Sequence, residues 1–228
     1  MLSIMAHDTA NKNPPPDLWS GQILHFACLA VLLAALALVW TTLGQPFSFA
    51  FWTAAAFPIL HQIFVWLTWR LELRTSVVSK TIGFEGYLVA FFVLFAGRFV
   101  ALAVLGWLDR GSLNLSPVAQ VVITTVLALP GLYAMYSVQR YFGMARAAGA
   151  DHFEERYRSM PLVNEGIFRF TSNGMYLYAF FLFWAIAVGF NSLAALVVAA
   201  FSHAYIWVHF FATEKPDMEF LYASKKAE

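Results

Sequence analysis

Residues 174–190 read GMYLYAFFLFWAIAVGF and residues 192–212 read SLAALVVAAFSHAYIWVHFFA, with only Asn191 between them. Each run approaches the ~20 apolar residues that one bilayer crossing requires. One intervening residue can only turn the chain straight back. The two runs therefore predict a tight antiparallel helical hairpin inside a membrane.

Working outward from the hairpin, four earlier stretches have the same character. Ile23–Leu43 is followed by a Gly44-Gln45-Pro46 turn and a second span at about Phe49–Trp69. A third runs Gly86–Leu108 and is broken by Asp109-Arg110-Gly111, and a fourth, Pro117–Phe142, contains Pro130-Gly131, a candidate kink. Trp40, Trp52, Trp69 and Trp107 fall near span ends, as an aromatic belt would. The expected fold is all-α, a polytopic membrane protein with about six transmembrane helices. Three regions follow: a polar N-terminal segment (1–21), a four-helix transmembrane region (22–142), and residues 143–228, comprising an interfacial loop, the hairpin and a C-terminal segment.

Composition agrees. The 228 residues are 61% hydrophobic and 12% charged, against roughly 45–50% and 25% in soluble domains. A chain this small cannot hide that much apolar surface, so its solvent must be lipid. The balance of 14 Lys and Arg against 13 Asp and Glu excludes a nucleic-acid partner. The single cysteine, Cys28, excludes a disulfide framework and a Cys-based metal centre. The polar start, with Pro14, Pro15 and Pro16, has no short apolar core before a cleavage site, so the first span is expected to be retained.

With six spans, the N-terminus, the second and fourth loops and the C-terminus share one side. Of the 14 Lys and Arg, all lie on that side except Arg110, in the far loop, and Arg98, inside the third span. The positive-inside rule makes both termini cytoplasmic. The long loop, residues 143–173, carries Asp151, His152, Glu154, Glu155, Arg156, Arg158, Glu165 and Arg169 among Phe153, Tyr157, Leu162, Ile167 and Phe168. Such mixed charge with regular apolar residues suits an interface. The expected active site is on this cytoplasmic side.

The stretch Gly166-Ile167-Phe168-Arg169-Phe170-Thr171-Ser172-Asn173-Gly174-Met175-Tyr176 leads into the hairpin, and Glu214-Lys215-Pro216 and Tyr222 follow it. This ordered set resembles the integral-membrane methyltransferases that include phosphatidylethanolamine N-methyltransferases and isoprenylcysteine carboxyl methyltransferases. The resemblance covers about Phe142 to Tyr222. It implies S-adenosylmethionine as cofactor, gripped between the loop before the hairpin and the end of the last helix. The residues it would assign to the cofactor are Gly166, Phe168, Arg169, Asn173, Gly174, Met175, Tyr176, Glu214 and Pro216. Tyr222 would face the substrate. The chain departs from the family pattern at Ser172, Gly174 and Lys215, where that pattern has arginine, proline and a second glutamate. Asn173, a favoured N-cap, is expected to start the fifth helix in place of the proline. The Asn-x-Met-Tyr order is closer to the phospholipid branch.

The residues are compatible with that chemistry. No Gly-x-Gly stretch occurs, so no Rossmann domain is expected. A helix N-terminus can take the cofactor's carboxylate, and Glu214 can take its ammonium or ribose hydroxyls. Glu214 is also the candidate base, and His209, near the same end of the last helix, a second candidate for a catalytic role. His203 and His209 are six residues apart, about 600° around a helix, so they share no face and no metal site is expected.

Arg98 near mid-span costs roughly 2.5–3.5 kcal/mol on insertion scales, and no acid lies at comparable depth. A carbonyl, a neutral side chain, a water or a ligand's anion must satisfy it; the anion is the reading favoured here, which makes Arg98 a candidate for substrate binding. His61 and Gln62 follow Pro58 and are expected to satisfy the carbonyl that it frees. His25 and Cys28 read as packing. The functional expectation is methyl transfer to the headgroup amine of a membrane phospholipid, with the lipid bilayer as the chain's other partner. The alternatives are a thiol or prenylcysteine carboxylate acceptor, or a non-catalytic membrane scaffold. The sequence sets no oligomeric state.

Overall fold

The computed structural model describes residues 14–223. The expectations that rest on residues 1–13, Lys12 included, and on Lys225 and Lys226 lie outside the described residues. Within them the chain is helical, with no strand. The long helices are α1 (Gln22–Thr42), α2 (Ser48–Thr75), α3 (Gly83–Leu108) and α4 (Pro117–Ser137), the last continuing as a π turn, Val138–Phe142. After the loop, a π turn at Met175–Ala179 leads into α5 (Phe181–Gly189). Then α6 (Leu193–His209) passes through a third π turn, Phe210–Glu214, into α7 (Lys215–Leu221).

Five of these stretches are long and apolar enough to cross a membrane: α1, α2, α3, Pro117–Phe142 and Leu193–Leu221. The expected fifth span is the exception. Met175–Gly189 is a shorter apolar helix, about 22 Å at 1.5 Å per residue, against ~30 Å of hydrocarbon. Its start is drawn back toward the loop, where Gly174 is packed against Ile167. The expected second loop also changes. α2 runs on to Thr75 and a short helix, Val77–Thr81, follows, so Arg70 and Arg74 are helical rather than loop residues.

One core joins the two ends of the sequence. Leu29 and Leu36 of α1, Phe51 of α2, Leu102 and Leu105 of α3, Phe183 of α5 and Val198 and Tyr205 of α6 pack as one buried cluster. Polar groups inside it are paired. His25, which reads as packing in the sequence, donates from Nδ1 to Gln22 Oε1 at 2.7 Å and accepts from the Tyr205 hydroxyl at 2.8 Å. Gln22 in turn donates to Thr213 Oγ1 at 3.1 Å. The tautomer follows from the network, because an amide oxygen can only accept.

At the hairpin end, Asp109 closes the structure. Its Oδ2 accepts from Ser112 Oγ at 2.6 Å, Ser192 Oγ at 2.7 Å and the Ala194 N–H at 2.9 Å. Ser192 also caps α6 by accepting from Ala195 N. The end of α3 thus satisfies the orphan donors at the start of α6 from outside that helix. Asp109→Ala is expected to lower stability by about 2–3 kcal/mol, because buried donors lose their acceptor. Arg110→Ala, next door and exposed, should change it by less than about 0.5 kcal/mol. Thermal unfolding of both variants in detergent checks the contrast.

Candidate functional site

At the other end of the bundle, hydrogen bonds fix the long loop onto the helices. Trp69 Nε1 of α2 donates to the Tyr87 hydroxyl of α3 at 2.7 Å, and Tyr87 donates to the Ala148 carbonyl at 2.6 Å. The Trp69 ring stacks on His152 with centroids 4.0 Å apart. Beside it, Arg70 Nε lies 2.7 Å from Asp217 Oδ1, both side chains fully buried. The pair is in contact, but its N–H does not point at the oxygen as a directed hydrogen bond would. Charge holds it. His152 stands between two carboxylates, 3.4 Å from Asp217 and 3.1 Å from Asp151. The Tyr222 hydroxyl donates to Asp151 Oδ2 at 3.0 Å, and Arg158 Nε donates to the Asp151 carbonyl at 2.6 Å. Helix α2, the loop and α7 are locked together.

This arrangement shifts two ionisations outside the spans. Burial disfavours the His152 cation, but the hydrogen bonds and charges of Asp151 and Asp217 outweigh it and push the imidazole up to about 9. Burial would raise the Asp151 carboxyl; His152, the Tyr222 hydroxyl and Arg146 together bring it below its ordinary value.

Two adjoining cavities open above this lock. The larger, about 570 Å³, is lined by Phe142, Arg146, Asp151, Phe210, Glu219 and Tyr222 among others. The deeper one, about 110 Å³, reaches into the bundle between α2, α3, α4 and α6, past His61, Phe91, Phe95, Arg98, Phe180 and His209. Trp69, Ala147, Met175, Tyr176 and Glu214 line both. At this junction the Tyr176 hydroxyl donates to Glu214 Oε2. Each of the three π turns contributes to the walls, through Val138 and Phe142, Met175 and Tyr176, and Phe210 and Glu214.

The structure sorts the residues expected from the sequence. Met175, Tyr176 and Glu214 stand at the junction, Tyr222 in the larger cavity, and Arg98 and His209 in the deeper one. Gly166, Phe168, Arg169, Asn173, Gly174 and Pro216 line neither cavity. Gly166 has φ +60°, and a Cβ there would lie 2.5 Å from Ser137 Oγ, the atom that accepts from Ile167 N. Phe168 stacks on Phe142 at 5.2 Å. These residues press the loop onto α4 and so support the Phe142 wall from behind. Arg169 is exposed, and Pro216 sits in the first turn of α7. Asn173 does not cap by its side chain; Thr171 Oγ1 provides the side-chain acceptor at this turn by taking the Asn173 N–H at 3.1 Å.

Arg98 meets a neutral side chain, one of the partners that the sequence leaves open for it. Its Nη1 lies 3.3 Å from His61 Nδ1, and its guanidinium sits 5.1 and 5.0 Å from the rings of Phe180 and Phe183. His61 therefore faces Arg98 rather than a carbonyl freed by Pro58. His203 accepts from Trp184 Nε1 at 3.1 Å, away from His209. Sequence reasoning missed Trp69, Tyr87 and the Arg70–Asp217 pair. The available signal was Asp217, an acid three residues past Glu214 and so on the next turn of the same helical run.

Comparison with known proteins adds one decisive finding. The profile of the phospholipid methyltransferase family matches residues 119–225. Over this stretch the chain is similar to that family, the one that the motif before the hairpin resembles. The matched region starts in α4 and includes the loop, the hairpin, Glu214 and Tyr222, so it holds every lining residue of the larger cavity except Trp69 of α2. Searches of curated proteins and of solved structures gave no match. Five helices long and apolar enough to cross a bilayer, together with the similarity to a membrane-associated family, support an integral membrane protein.

The shifted groups set a stability window. The raised His152 contributes fully below pH ~6.5 and its contribution fades as pH rises through about 9. The lowered Asp151 contributes above the unfolded value and is lost only as pH falls through its lower folded value. The melting temperature in detergent should therefore fall between pH 7 and 10. In His152→Gln that alkaline decline should flatten; an unchanged slope in the variant would remove His152 as its source.

Proposed function

We propose that this chain catalyses transfer of a methyl group from S-adenosylmethionine to the headgroup amine of a membrane phospholipid. The observation that carries the reading is the Tyr176–Glu214 pair, standing where a roomy cavity with a few charged groups in its wall meets a narrow one inside the bundle. The positive-inside rule supports reading this end as the cytoplasmic one, with both termini on that side.

The residues of the larger cavity suit the cofactor. About 570 Å³ lies within the usual range for small-molecule sites. Arg146 can pair with the cofactor's carboxylate, and Asp151, Glu214 or Glu219 with its ammonium and ribose hydroxyls. Trp69, Phe142 and Phe210 offer aromatic faces, which suit a cation and a purine ring. In this reading residues 143–228 supply most of the cofactor walls, and α2 and α3 supply the acceptor side. Gly166, Phe168, Arg169, Asn173, Gly174 and Pro216 act by shaping the loop.

When bound, S-adenosylmethionine supplies a methyl group on a positively charged sulfur. The protein's own work is to present a neutral nucleophile beside it, in line and dry. An amine with a pKa near that of lysine, ~10.4, is largely protonated at neutral pH. Glu214 is placed to accept that proton, and Tyr176 holds the carboxylate in position. His209 and Tyr222 complete the walls on the acceptor side and at the mouth. The aromatic lining excludes water that would otherwise solvate the amine.

Purified protein incubated with methyl-labelled S-adenosylmethionine and a total lipid extract should label lipid amines. Label in small thiols or prenylcysteine carboxylates would move the acceptor assignment, and no label with no calorimetric binding of S-adenosylhomocysteine would end the enzymatic reading. Glu214→Gln should lower turnover by about 10²-fold or more, the usual scale for a lost acid or base. Glu155→Gln, whose carboxylate is engaged with Arg158 at the surface, should stay near wild type. Equal small effects would assign proton removal elsewhere.

A further inference from the structure

The deeper cavity has chemistry that the methyl-transfer reading does not use. Arg98, His61 and His209 all line it and all are buried, at 3%, 4% and 2% exposure. Five of their nitrogens, Arg98 Nε and Nη2, His61 Nε2 and both of His209, have no hydrogen-bond partner among the described residues. The tautomer of His61 follows from its neighbour. A guanidinium only donates, so His61 Nδ1 accepts from Arg98 and its Nε2 carries the hydrogen. Three N–H groups on two nitrogens of Arg98 and one N–H of His61 are thus donors left over in the same buried wall. Ring faces of Phe180 and Phe183 cushion the charge, but they cannot accept those hydrogens as an oxygen would.

We propose that Arg98 and His61, with His209 beside them, form the subsite for the phosphodiester of the acceptor lipid, the headgroup amine lying toward Glu214. The proposal rests on the methyl-transfer reading for the amine. The polarity of the cavity supports it. Among the described residues its only acid is Glu214, at the junction, and its only Lys or Arg is Arg98. An acid at one end and a guanidinium within complement a zwitterion whose amine and phosphate are two carbons apart. The walls between them, Phe91, Phe92 and Phe95, are apolar. Helices α3 and α4 both line the cavity but are not packed along one another, as a site receiving a lipid needs. A lipid phosphate and free phosphate share this chemistry, and the experiment separates them.

The test uses the full chain in detergent with dihexanoyl phosphatidylethanolamine as probe. Dihexanoylglycerol, which lacks the phosphate, and inorganic phosphate are run beside it, and S-adenosylhomocysteine binding is measured by calorimetry. The phosphatidylethanolamine should raise the melting temperature of the wild type and dihexanoylglycerol should not. Arg98→Gln should weaken that lipid by about tenfold or more, the scale of a lost charge-assisted bond, with S-adenosylhomocysteine affinity kept within about twofold. Its ligand-free melting temperature should be equal or higher, since an incompletely paired buried charge is gone. Should the glutamine variant not fold, Arg98→Lys keeps the charge but loses the fork. Its lipid affinity should fall several-fold, and a lysine variant indistinguishable from wild type overturns the proposal. Unchanged lipid affinity in Arg98→Gln overturns it as well. So does loss of S-adenosylhomocysteine binding with lipid binding intact, which would place the cofactor's carboxylate at Arg98. Inorganic phosphate stabilising the wild type where the lipid does not overturns the lipid assignment. Failure of the methyl-transfer reading looks different: Arg98-dependent lipid binding persists, without S-adenosylhomocysteine binding or methyl transfer.

Discussion

The buried contact between Arg70 and Asp217 is the constraint on which the rest of the site depends. It joins the end of α2 to α7, two elements almost 150 positions apart in sequence, at 2.7 Å and out of solvent. A buried ion pair gives little net stability over apolar replacements, yet leaving one partner alone is severely unfavourable. Such a pair therefore specifies where α7 goes more than how strongly the protein folds. With α7 in place, Asp217 takes His152, His152 takes Asp151, and Trp69 covers the imidazole ring. The loop that a composition-based reading leaves loose becomes one wall of a cavity.

The two ends of the bundle are held by different physics. Around Asp109 the chain is closed by short hydrogen bonds to a helix start, and neutral donors dominate. Around Asp217 it is closed by alternating charges whose strength depends on proton occupancy. Between them, the Gln22–His25–Tyr205 network ties α1 to α6 without any net charge. Buried nitrogens with neither a hydrogen bond nor a charged partner gather along the deeper cavity, at Arg98, His61 and His209.

Much of the fold is legible in the sequence because lipid imposes a length rule on apolar runs. Five spans, the Asn191 turn and the end of α3 at Asp109 follow from it. The rule fails where protein, not lipid, surrounds a polar residue. Arg70 has the composition of a loop charge, and only its burial against Asp217 reveals a helix that continues. Met175–Gly189 has the apolar content of a span but gives up length to the loop turn before it. The candidate site divides in the same way. Glu214, Met175 and Tyr176 belong to an ordered motif and stand in the cavity. Gly166, Phe168 and Gly174 belong to the same motif because the backbone must approach other chains of atoms closely there, which a motif cannot distinguish from ligand contact. The pairing of Arg98 with His61 joins two separate spans, and no single-helix periodicity encodes it.

The π turn at Phe210–Glu214 explains why a face count along the last helix goes astray. Its hydrogen bonds run from i to i+5, so residues five apart return to one side, and His209 and Glu214 look into the same space. On a regular α-helix the same two residues would diverge by about 140° at 100° per residue. The turn amounts to one extra residue in the winding, a phase shift stored in the backbone. Everything beyond it is in register only because that shift is kept, including Asp217, which meets Arg70 of α2. Shortening the chain by one residue between 210 and 213 would leave the apolar composition of the hairpin intact and rotate the whole reactive end away from the cavity.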